Sequence, residues 1–181
     1  MSRKEDFGEM MVYVVDRRVP APPRPSGLAG LVQHHDSFER GWQRVIEQFP
    51  GHDDAQILFA EEGEPFRDLA GRIAGTVRNP WSIWMLRIIC HGAPAYLELG
   101  AGVRRRELRF FGTIRRAMTP SHLRGKGIEI HGCNVAEGSA GIRFVESIAR
   151  SIELPVAASP NMQYADNLFR FEGSDIVRVT P

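Results

Sequence analysis

Two residues of this chain have the types that make and break acyl bonds, and each stands beside a glycine. His91 is followed by Gly92 in IICHG, and Cys133 is preceded by Gly132 in EIHGC. A cysteine becomes a nucleophile as the thiolate, and a nearby histidine can take up its proton and return it. That chemistry requires both side chains in one partly exposed place. They lie far apart in sequence, so the fold must bring them together. Adjacent parallel strands run roughly 4.8 Å apart, and residues just past two neighbouring strand ends can meet. The glycines permit sharp turns and a close approach by a substrate backbone. Backbone N–H groups freed at such turns could hold an oxyanion, often worth ~3 kcal/mol per donor. Cys133 also shortly precedes a helical pattern, whose positive end favours a thiolate. Both types have structural uses too: cysteine is among the most buried residues, and many strand-end histidines do no chemistry.

Strands must carry the pair, and the pattern supplies them. MMVYVVD (Met10 to Asp16) is a Val-rich run suited to a buried central strand. RRVPAPPRPSGLAG holds four prolines and two glycines, which predicts a loop over 17–35. In DSFERGWQRVIEQFPG, Phe38, Trp42, Val45, Ile46 and Phe49 recur at helical spacing, with Asp36 or Ser37 as cap and Pro50-Gly51 as stop. AQILFAEEG reads as a second strand. EPFRDLAGRIAGTVRNP reads as a second helix, with Phe66, Leu69, Ile73 and Val77 on one face. WSIWMLRIICHG predicts a third strand ending on His91, and AYLELG a short neighbour. A helix is expected around Thr113 to Met118, with Pro120 interrupting the chain. GIEIHGC predicts a fourth strand ending at Cys133. SAGIRFVESIARSIELP is strongly amphipathic, with Ile142, Val145, Ile148, Ala149 and Ile152 expected inward. VAAS would be a fifth strand, and NLFRFEG with DIVRVT a closing hairpin.

Strands alternating with helices imply an α/β fold with a mostly parallel sheet covered on both faces, here as one domain over 1–181. In such sheets the site lies at the carboxyl ends of the strands, where His91 and Cys133 are expected.

The composition narrows the function classes. The chain has 181 residues, 43% hydrophobic and 25% charged, as expected of a domain with a sizeable core. A net charge of +1 gives no argument for a nucleic-acid partner, which is not expected, since no field of one sign covers the whole molecule. The only lysines are Lys4 and Lys126, so 21 of the 23 basic residues are arginine. That bias fits a G+C-rich genome better than arginine-specific recognition. No apolar run reaches the ~18 residues needed to cross a bilayer. MSRKEDFGEM has no apolar signal core, and two cysteines are too few for a disulfide scaffold. A cytoplasmic location is the expectation, with export by a signal-less route as the other possibility.

The residues around the pair carry a resemblance. IICHGAPAYLELG and LRGKGIEIHGCNVAEGSAGIRFVESIARSIELPVAAS together resemble the caspase–haemoglobinase fold of clan CD cysteine peptidases. The likeness is greatest to the bacterial caspase-like domain of unknown function found near the start of large surface and repeat proteins. That domain has a strand ending in Ser-His-Gly, a Leu-Gly element, a strand ending in Gly-Cys with Asn-Val-Ala after it, and a Val-Ala-Ala-Ser strand. The likeness covers roughly residues 81 to 160. It implies a three-layer caspase-like fold in which His91 is the general acid/base and Cys133 the nucleophile. Gly92 and Cys133 would supply the oxyanion-binding N–H groups. The implied reaction is endopeptidase hydrolysis of a protein or peptide substrate, without metal, cofactor or third catalytic residue. The primary pocket would be lined by loops after the first, third and fifth strands. Asp166 or Asp16 would select a basic side chain there, with Ser159 in the same loop as Asp166, while Arg17, Arg18 or Arg24 would select an acidic one. The chain departs from the eukaryotic Gln-Ala-Cys-X-Gly signature, and Cys90 replaces the usual serine before the histidine. Caspase-type activation and specificity therefore do not transfer.

Other readings use the same residues. A catalytically silent module that binds a protein partner would keep both fold and pair. Cys90, His91, His131 and Cys133 could form a Cys2His2 metal site, since residues 131 and 133 share a strand face. Against it, residues 90 and 91 point to opposite faces, and no C-x2-C or H-x3-H spacing occurs. A Cys90–Cys133 disulfide would be a regulatory state. VRRRELRFFGTIRR holds six arginines beside Phe110 and Phe111, either a local patch for an acidic partner or a solvated face. The near-neutral total favours the solvated face. Trp42, Trp81 and Trp84 read as core.

Overall fold

The structure is a computed structural model that describes residues 10–22, 37–47, 55–163, 171 and 175–181. Strand β1 (Met10–Asp16) is the Val-rich run, buried along nearly its whole length because both of its faces are covered. Helix α1 (Phe38–Glu47) follows, then β2 (Gln56–Ala60), α2 (Phe66–Ala74) and β3 (Ile83–Ile89). Pro65 precedes α2, where its missing N–H costs nothing, and Gly75 ends it. A ribbon of β4 (His91–Ala93) and β5 (Tyr96–Glu98) leads to a 3-10 turn over Arg105–Phe110 and a short α3 (Phe111–Arg115). Strand β6 (Gly127–His131), helix α4 (Gly138–Ile152), β7 (Val156–Ala158) and β8 (Val177–Val179) complete the order.

Six strands form one sheet in the order β2-β1-β3-β6-β7-β8, parallel throughout except for the antiparallel β7–β8 pair. The fold is α/β, with helices on both faces. Met11, Tyr13, Val15, Met85 and Ile89 pack under Trp42, Val45 and Ile46 of α1. Val12, Val14, Leu86, Ile88, Ile128 and Ile130 face α2, α3 and α4 on the other side. Alternation along each strand sets these two sides. Helix α4 fixes the thicker layer: Phe144, Val145, Ile148 and Ile152 recur on one stripe and are buried, each such burial worth ~1.5–3 kcal/mol. Among the described residues, no helix is long and apolar enough to cross a membrane.

Several expectations need correction. The helix looked for at Thr113 to Met118 begins earlier, because Leu108, Phe111 and Ile114 are the side chains that reach the core. Residues 117–119 instead run beside the start of β3, through Ile83 N–H to Ala117 O and Thr119 N–H to Ile83 O. Ile142 is exposed, off the stripe that Phe144 and Val145 occupy. Trp42 and Trp84 pack inward, but Trp81 is exposed at a left-handed backbone position. AYLELG does not join the main sheet; β5 folds back on β4 as a separate ribbon. DIVRVT supplies β8 against β7, while NLFRFEG, apart from Phe171, lies outside the described residues.

Candidate functional site

The strand order reverses between β1 and β3: from β1 the chain goes first to one side and then to the other. Such a switch point opens a crevice at the carboxyl ends of the strands. Strand β3 stops at Ile89, one turn of pleat before the sequence suggested. Cys90 N–H still donates to His131 O of β6, and the chain then leaves the sheet as β4. His91 is therefore the first residue of β4 and exposed. Its Nε2 lies 3.4 Å from the carbonyl of Arg18, just past the end of β1, and donates there when that nitrogen carries the proton.

Cys133 stands two residues past β6, the parallel neighbour of β3, with Ile89 opposite His131. The two chain segments touch through Gly92. A Cβ at that position would lie 2.8 Å from Cys133 O, 3.2 Å from Cys133 N and 2.7 Å from a Val135 methyl. Only glycine leaves room for this contact. Leu97 exchanges both of its backbone bonds with Val103, so its partner across the ribbon, Gly92, turns its N–H away from β5. The Cys133 N–H has no acceptor among the described residues. Asn134 takes a left-handed conformation, a position its type tolerates, and its N–H bonds Asn161 O. This turn sets the cysteine just before α4, so the loop after β7 and the loop after β6 are pinned together.

Cys133 is half-buried, and its sulfur is engaged. The thiol donates to Gln163 O at 3.3 Å, and Gln163 N–H points back at Sγ from 3.4 Å. No feature of the sequence singled out Gln163, an amide in a polar loop. Cys90 differs: it is sealed in the core, where burial pushes its thiol pKa up.

The proposed selectors do not behave as free pocket charges. Asp16 is wholly buried and accepts from Arg18 N–H, from the Arg18 guanidinium through both oxygens, and from Gly100 N–H at 2.8 Å. Burial alone would raise its pKa, but those donors hold its carboxyl below the usual range. It is spent on Arg18 and cannot take a basic substrate side chain. Arg18 also reaches Glu98 Oε1, Glu98 O and Gly100 O, tying the end of β1 to the ribbon. Arg17 pairs with Glu39 and Glu61. Ser159 is buried and turned into its own loop, accepting from Asn161 N–H through Oγ and from Ala136 N–H through its carbonyl. Asp166 and Arg24 lie outside the described residues.

The four-residue metal arrangement is not assembled. Cys90 belongs to the core on the α2–α4 side, whereas His131 stacks on Phe171 at 4.5 Å and sits 3.6 Å from Glu129 on the other side. Among the described residues, no group of three or more His, Cys, Asp or Glu is placed to hold a metal ion.

The family model described as a domain of unknown function, DUF4347, matches residues 41–165, more than half of the chain. The chain belongs to this family. The DUF4347 match spans His91, Gly92 and Cys133 and leaves β1 and β8 outside it. No curated protein matches the sequence.

Proposed function

We propose that this DUF4347 chain is a caspase-like cysteine endopeptidase with Cys133 as nucleophile and His91 as general acid/base. The observation that carries the reading is the contact of Gly92 with the Cys133 backbone at two adjoining strand ends. An exposed histidine and a half-buried cysteine thus stand on touching chain segments, which supports the pairing. Cys133 Sγ bonds to the scissile carbonyl carbon as its proton passes to His91. The Gly92 and Cys133 N–H groups receive the oxyanion. The C–N bond then breaks, the imidazolium gives its proton to the leaving amine, and water cleaves the thioester to restore the thiol. The Arg18 carbonyl against His91 Nε2 orients the ring.

One observation favours a second reading, a silent module that binds a protein partner: the Gln163 backbone engages the sulfur twice, its C=O accepting from the thiol and its N–H donating to Sγ. A peptide library incubated with wild type, Cys133→Ala and His91→Ala separates the two. Cleavage by wild type, abolished in Cys133→Ala and lowered by about a hundredfold or more in His91→Ala, is the expected result. A wild-type chain that leaves the whole library intact would refute the peptidase reading.

A further inference from the structure

The arginine-rich stretch from Arg104 to Arg116 plays no part in the crevice, and the structure divides it. The Arg104 guanidinium lies 4.4 Å from the centre of the Tyr96 ring, and that of Arg109 lies 4.8 Å from the Phe110 ring. Arg106 pairs with Glu107, and Arg115 pairs with Glu153. Arg105 makes no such contact. It lines a cavity of about 320 Å³ together with Arg143 and Arg150 of α4. All three guanidinium groups are on exposed residues, and none has a carboxylate within ion-pair distance among the described residues. Glu146, between the two on α4, pairs with neither. The single contact of Arg150 is a long donation to Ser147 Oγ, 3.4 Å. Leu108 and Phe144 form an apolar wall.

Three like charges around one hollow repel each other, and an anion seated between them relieves that cost. The guanidinium fork matches phosphate oxygens in pairs. The volume is that of a small-ligand site, so the ligand must carry several negative charges in little space. An acidic peptide spreads its carboxylates along a chain, and the near-neutral molecule has no extended field for nucleic acid. We propose that this pocket binds a small ligand carrying two or more phosphoryl groups. The proposal does not depend on peptidase activity, since neither His91 nor Cys133 lines the pocket.

Isothermal titration of the full chain with inorganic tripolyphosphate tests it. Binding that weakens with added salt is expected, reduced about tenfold or more in Arg143→Gln/Arg150→Gln and unchanged in His91→Ala. Arg105→Gln, on a separate element, carries the same test should the double variant not fold. No heat at millimolar tripolyphosphate would overturn the proposal, as would equal affinity in the arginine variants. Citrate, with three carboxylates, should bind clearly more weakly; equal affinity for citrate would overturn the phosphoryl assignment.

Discussion

Gly92 is the residue on which the site turns. Adding one methyl group there drives a carbon to within 2.8 Å of a backbone carbonyl, which cannot rotate out of the way. We expect Gly92→Ala to separate β4 from the Cys133 loop, lowering stability by about 1–3 kcal/mol and cleavage by more than stability alone explains. Urea melts and initial rates on the same samples check this. The two thiols should also part company. Cys90 is buried and its pKa is raised, so iodoacetamide should label Cys133 and leave Cys90 untouched in the folded protein, with both labelled in urea. Mass mapping of the adducts reads the result. Equal labelling of both in the native state would contradict the placement of Cys90.

Between elements, the joint that matters is the one at the end of β1. Arg18 is held by Asp16 and in turn holds Glu98 and Gly100, so a single side chain fastens the switch point to the β4–β5 ribbon that carries His91. Asp16→Asn leaves that guanidinium without its buried partner. The expected cost is about 3 kcal/mol, near the low end for a broken buried pair because Arg18 keeps Glu98, with a parallel loss of cleavage as the Arg18 carbonyl shifts from His91. Denaturant titration measures the first effect and a rate assay the second. The strands and long helices were legible because Val-rich runs and 3.6-residue stripes depend only on local pattern, as MMVYVVD and the α4 stripe show. The meeting of the His91 and Cys133 segments was legible because each follows such a run and abuts a glycine. The clamp was not. That Asp16 would face Arg18 and the Gly100 N–H depends on where the ribbon folds back, and AYLELG gives no local sign that it leaves the main sheet. The short 3-10 turn before α3 escaped for the same reason: three separated apolar residues fix it only once α2 and α4 are in place.

For the whole molecule, one buried acid, Asp16, and one partly buried acid, Glu129, shape the response to pH. Glu129 sits among Arg87 and His131 on the α1 side of the sheet, with Arg87 also reaching Tyr13 Oη at 3.2 Å. Burial opposes its charge, yet His131 and Arg87 hold its pKa down to about 2 from an ordinary 4.5. Asp16 is depressed as well. Both bind fewer protons in the folded state than when unfolded, so stability is full above about pH 4.5 and falls as the solution is acidified towards pH 2. Thermal melts across that interval should show the decline, and Glu129→Gln should flatten it. A melting temperature independent of pH there would contradict the assigned network.

Gln163 has one more implication. Its backbone N–H and C=O both rest on the sulfur, so under the peptidase reading proposed above a substrate carbonyl reaches Sγ only after this backbone is displaced. A peptidase built this way is restrained by default. How often that short stretch lifts aside, more than how fast the bond is cut, would then govern how much of its surroundings it consumes.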